Sequence, residues 1–129
     1  MTGEMEKITI NLGFIDLGQI DLLVQEGFYA NRTDFIRTAI RNQLATHAET
    51  VKQTVARKTL VLGLQHYTRR DLEAVQATGQ KLQIQALGLV SIADDVSPEL
   101  ARATIDSIIV LGGLRAGAKV KAALAGRIQ

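Results

Sequence analysis

The chain has 129 residues, 47% hydrophobic and 22% charged, which places it among folding domains and away from disordered chains. It has no cysteine, so disulfide scaffolds, thiolate metal sites, iron–sulfur clusters and cysteine nucleophiles are excluded. No apolar run approaches the ~20 residues of a membrane-spanning helix, and the polar, acidic start Met1–Glu6 is unlike a secretory leader. The expectation is a cytoplasmic protein of one domain or two small ones.

The formal charge of +2 conceals a split. Residues 1–50 carry four basic side chains against seven acidic ones, a net of −3, and residues 51–129 carry eleven against six, a net of +5. Such asymmetry points to modules with different partners. The reading is an α+β chain: an N-terminal module over 1–50, a helical connector over 51–57 and an α/β repeat module over 58–129.

In chain order, Lys7-Ile8-Thr9-Ile10-Asn11-Leu12 alternates strictly, with Ile8, Ile10 and Leu12 on one face and Lys7, Thr9 and Asn11 on the other. Period two with β-branched residues predicts a half-buried strand. Asp16 is the expected N-cap of a helix whose apolar stripe is Leu17, Ile20, Leu23 and Val24, and Gly27 is its left-handed stop. Asn31, followed three residues later by Asp34, reads as the N-cap of a second helix with Phe35, Ile36, Ala39, Ile40 and Leu44 on one side. With no Gly or Pro before Gly63, that helix is expected to continue past His47.

A strand and two helices in about 45 residues sit near the limit of what can fold alone. The strand has no partner in its own module, and unpaired ladder groups are costly. A homodimer resolves both problems. Two strands pair antiparallel, helices from both copies cover Ile8, Ile10 and Leu12, and Phe35, Ile36 and Ile40 join the shared core. Phe14 and Phe28 are likewise expected in the core and not as a stacking platform for bases.

The run Glu26-Gly27-Phe28-Tyr29-Ala30-Asn31-Arg32-Thr33-Asp34-Phe35-Ile36-Arg37-Thr38-Ala39-Ile40-Arg41, preceded by the Lys7–Leu12 strand, resembles the ribbon-helix-helix repressors of the CopG/Arc/MetJ type. The resemblance covers residues 5–48, about a third of the chain. It implies an obligate dimer whose ribbon enters the DNA major groove, with Lys7, Thr9 and Asn11 as the outward positions that read bases. The chemistry suits them: the groove admits a two-stranded ribbon, Asn pairs with an adenine edge, Lys with guanine, and Thr with a thymine methyl or a polar edge. The start of the second helix, at Asn31, Arg32 and Thr33, offers backbone N–H groups to a phosphate, with Arg32 and Arg37 adding charge. The net −3 opposes this, since phosphate neutralisation dominates affinity. Asp16, Asp21 and Glu26 belong to the first helix, whereas Glu4 and Glu6 lie near the ribbon.

Beyond the connector, Leu62-Gly63-Leu64, Leu87-Gly88-Leu89 and Leu111-Gly112-Gly113-Leu114 recur at spacings of 25 and 24. Each follows a short β-type run (Thr59–Val61, Leu82–Ile84, Ile108–Val110) and precedes a helix-compatible stretch (Arg70–Val75, Ser97–Arg102, Ala118–Leu124). Ser97 and Pro98 form a helix-start signal. About three strand–glycine–helix units predict parallel strands joined by right-handed crossovers, a short solenoid; a compact ferredoxin-type arrangement is the alternative. The glycines after the strand runs are read as allowing close packing or a sharp turn where adjacent layers stack. They match no phosphate fingerprint, and no GxSxG or HExxH occurs. Some regulators of the resembled type sense nickel, but the histidines and cysteine that such a site needs are missing here. No cofactor or metal is expected. The exposed edges of a three-unit stack favour self-association, with a protein partner or a small effector as further possibilities.

The function expected is sequence-specific binding of double-stranded DNA by a homodimer or higher oligomer: a transcriptional repressor, nucleoid-associated, neither an enzyme nor a membrane protein. The alternative is an antitoxin that autoregulates its operon and holds a toxin through the C-terminal module. A structural protein polymerising through the repeat is a third class.

Overall fold

The computed structural model describes residues 5–129; Glu4 lies outside them. The chain divides into two compact units, residues 1–53 and 54–129.

In the first unit, residues 5–13 form neither helix nor strand. The strand expected over Lys7–Leu12 is therefore not made within one copy: among the described residues nothing offers its backbone a ladder. Helix α1 spans Phe14–Gln25. It starts two residues before the expected cap. Gly13 takes the N-cap position with extended backbone and no side-chain bond, and Asp16 sits in the first turn, where its charge meets the positive end of the helix. Gly27, at φ +85°, ends α1 as expected, and the Gly27 and Phe28 N–H groups close onto the Val24 and Leu23 carbonyls.

Helix α2 spans Arg32–Thr46 from an Asn31 cap. It does not run through His47. The chain turns there and helix α3, Ala48–Arg57, begins anew. At this turn the Thr46 hydroxyl donates back to the Asn42 carbonyl at 3.1 Å, a bond that weakens and often bends a helix without Gly or Pro. Helix α3 ends on Thr59 in the left-handed region (φ +53°), with the Leu60 N–H bonded to the Val55 carbonyl. A β-branched residue is strained in that conformation. Its hydroxyl donates to Gln85 Oε1 at 2.8 Å.

The second unit alternates strand and helix: β1 (Val61–Tyr67), α4 (Arg69–Thr78), β2 (Leu82–Ile92), α5 (Pro98–Thr104), β3 (Ile105–Arg115), α6 (Ala118–Ala123) and a 3₁₀ turn (Ala125–Arg127). The strands are parallel in the order β1-β2-β3, and α4 packs on α5 and α5 on α6. This is the three-unit stack; the ferredoxin-type alternative does not form. At α5 the start follows the sequence signal, the Ser97 hydroxyl accepting from the Leu100 N–H above Pro98, and α4 opens on a reciprocal capping box of Thr68 and Asp71 that the sequence analysis did not single out. One strand face, with Ile84, Ala86, Val90, Ile92, Ile105 and Ile108, closes against Leu72, Ala101, Val120 and Leu124 from the helices.

Of the two roles expected for the glycines, close packing holds and the sharp turn after the strands does not. Gly63, Gly88 and Gly112 lie inside them and in register, at φ +116°, +139° and +122°. A Cβ on Gly88 would collide with the Gly63 carbonyl, and one on Gly112 with the Gly88 carbonyl. Each backbone thus occupies the space that a side chain on the next strand would need. Beyond β3, Ile128 bridges to Ile108, and the Gln129 N–H donates to the Ile108 carbonyl at 2.8 Å.

Candidate nucleic-acid interface

The residues predicted to meet DNA all lie in the first unit, at the surface. Lys7, Thr9 and Asn11 are exposed on the segment before α1. So are the apolar residues that alternate with them: Ile8, Ile10 and Leu12 are open to solvent, Ile10 at 58%. Ile10 and Leu12 line one side of a groove of about 590 Å³ whose other walls are α1 (Ile20, Leu23) and α2 (Phe35, Ile36, Ile40). The groove brings the predicted dimer-core residues together, apart from Ile8, and leaves them uncovered.

Among the described residues of this unit Ile20 is the buried hydrophobic, and α2 has no buried residue. Phe35 is half-buried and meets Tyr29 edge-on, with ring centroids 5.0 Å apart and planes at 84°. Phe14 and Phe28, expected in a core, stand exposed in the single copy because there is no core here to receive them.

The start of α2 is rigidly built. The Asn31 side chain accepts from the Asp34 N–H at 2.7 Å, and the Asp34 carboxylate accepts from the Ala30 N–H at 2.9 Å. The Arg32 and Thr33 N–H groups precede the first intrahelical bond and point out of the helix end. Arg32 itself is engaged: its guanidinium forks onto both oxygens of Asp21, at 2.7 and 2.8 Å, tying α1 to the start of α2. Bonding to Arg32 holds the Asp21 carboxyl below the ordinary carboxylate value and raises Arg32 in turn. One of the acids that weighed against DNA binding is thereby neutralised locally. Arg37 is exposed on α2. Sequence reading missed the Asp21–Arg32 fork, because eleven residues and a turn separate the partners and no periodicity signals the pairing.

The sequence matches the Ribbon-Helix-Helix transcriptional regulator family over residues 3–121. The chain belongs to that family. Its members bind DNA, generally as dimers. The match corrects the extent of the resemblance: it runs well past residues 5–48 and takes in most of the repeat module. No curated protein and no solved structure matches the chain. Among the described residues no helix is long and apolar enough to cross a membrane, and no cluster of His, Asp or Glu could hold a metal ion.

Proposed function

We propose that this regulator is a repressor whose two copies pair residues 7–12 into an antiparallel ribbon that reads operator bases in the major groove. The observation that carries the reading is the uncovered apolar groove of the first unit. Ile10, Leu12, Phe35, Ile36 and Ile40 converge in one copy without closing a core, and a second copy laying the same faces over them removes that surface from water. Pairing the strands also satisfies the backbone of residues 7–12 and turns Lys7, Thr9 and Asn11 outward together.

On DNA, Lys7, Thr9 and Asn11 read base edges, while the Asn31-capped start of α2, with Arg32 and Thr33 N–H groups and the Arg37 charge, grips a phosphate. Arg32 serves this grip through its fork on Asp21, which fixes where the helix end points. The reading places the protein in the cytoplasm at the nucleoid and assigns it no catalytic step. The closed core of residues 54–129 supports regulation by a folded module over a toxin-binding tail that is disordered when free.

Selection of bound fragments from random DNA yields the operator. Asn11→Ala is expected to weaken operator binding by about 1–3 kcal/mol and to leave binding to random DNA nearly unchanged. Equal losses on both DNAs contradict base readout by this residue.

A further inference from the structure

The sheet of the second unit is covered on one face only. Its other face carries two rows across the three strands: Leu62, Leu87 and Leu111, then Leu64, Leu89 and Gly113. Leu62 is 71% exposed, Leu64 54% and Leu111 53%. No charged or hydrogen-bonding side chain lies in either row; His66, Ser91 and Arg115 form the next row on one side. Parallel sheets are ordinarily covered on both faces, and a contiguous leucine patch with a polar rim marks a surface that is buried in use.

We propose that this leucine face packs on the same face of a second copy, inside the dimer that the first unit forms. The occupant must itself be apolar and uncharged where it meets the two rows, and an identical face meets that condition row for row. The size of the patch decides where the contact closes. Two side-chain rows across three strands about 4.8 Å apart cover on the order of 200 Å². Two such faces enclose roughly 400 Å², well short of the roughly 1,200–2,000 Å² of a stable specific interface. The face is therefore too small to hold free copies together. It suffices between copies already joined, where the local concentration reaches the millimolar range. The inference accordingly rests on the ribbon dimer. When two three-stranded faces related by a two-fold axis overlap fully, as burial of both leucine rows requires, the central strand β2 lies over its own mate.

That placement supplies the test. Because the chain has no cysteine, Leu87→Cys and Leu89→Cys each introduce a unique thiol on β2, and Glu99→Cys places one on α5, on the helix-covered side. Packed sheets lie about 10 Å apart, within reach of a short bis-maleimide. At low micromolar full-length protein, at least one β2 variant is expected to become mostly covalent dimer, with Glu99→Cys at least tenfold slower. Adding Leu111→Glu to the reactive variant should slow cross-linking at least tenfold while sedimentation still shows a dimer. A sedimenting dimer that does not cross-link through β2, or cross-linking indifferent to Leu111→Glu, overturns the leucine-face contact and leaves the ribbon standing. A chain that sediments as a monomer overturns both.

Discussion

The two units of this chain solve the burial problem in opposite ways. Residues 54–129 close a core on their own: β2 and β3 bury Ile84, Ala86, Val90, Ile92, Ile105 and Ile108 against three helices. The first unit carries apolar residues at comparable spacing, yet among its described hydrophobic side chains Ile20 is the one buried, and Ile8, Ile10 and Phe14 stand in solvent. The contrast teaches that amphipathic patterning fixes which face is apolar and leaves open whose chain will cover it. In the repeat unit the helices that follow the strands supply the cover; in the first unit one copy leaves the face open, and the proposed dimer is what would close it.

The comparison breaks most visibly at the glycine row. Gly88→Ala places a Cβ against the Gly63 carbonyl at a positive φ, so loss of at least ~3 kcal/mol is expected, read by denaturant unfolding of the second unit. Gly63→Ala meets nothing within 4 Å and bears only the backbone strain of its positive φ, about 1–3 kcal/mol, which Gly88→Ala bears in addition to its collision. Equal costs at the two positions would mean that the strands are not stacked in this register.

Next in size is Ile10→Lys. On a side chain this exposed in one copy, a substitution ordinarily costs within about 0.5 kcal/mol. In a shared core it buries a charge, and the expected loss is at least ~2 kcal/mol. Sedimentation should show a monomer and circular dichroism a loss of α1 and α2 signal with the second unit still folded. A folded, dimeric Ile10→Lys protein removes the shared core. Smaller again is Thr59→Gly, which relieves the left-handed strain after α3 and is expected to stabilise the protein by up to about 1 kcal/mol despite losing the bond to Gln85.

The smallest effect is acid sensitivity. The Asp21 carboxyl sits below its ordinary 3.8 because Arg32 bonds to its ionised form. Its contribution is present above that ordinary value and fades as pH falls toward the lowered one. Thr68 depresses Asp71 in the second unit in the same sense. Asp21→Asn is expected to flatten the acid limb of the first unit's unfolding and leave that of the second unit unchanged. Both carboxylates are exposed, so the slope changes modestly.

Much of this architecture is legible in the residues. Asn31 with Asp34, Gly27 and Ser97-Pro98 mark helix ends where the structure has them, because caps are local chemistry. The recurring Leu-Gly-Leu marks the repeat. For the glycines the sequence leaves close packing and a sharp turn both open, since it shows that a position tolerates no side chain without showing what fills the space; here it is a neighbour's carbonyl. The break at His47 was invisible because a back-bonding Thr46, unlike Gly or Pro, is also common inside straight helices. At the candidate interface, alternation singles out Lys7, Thr9 and Asn11, all exposed in one copy together with the apolar residues between them, and only coordinates could show that Arg32 is already held by Asp21.

The glycine row also constrains how such a protein changes over generations. A strand can be added to or removed from the stack only as a whole strand–helix segment that brings its own side-chain-free position to the same height. Partial insertions would slide a bulky residue onto a carbonyl. Length variation among relatives should therefore fall in steps of about two dozen residues (24 or 25 here), while the leucines beside each glycine are free to drift in kind but not in position.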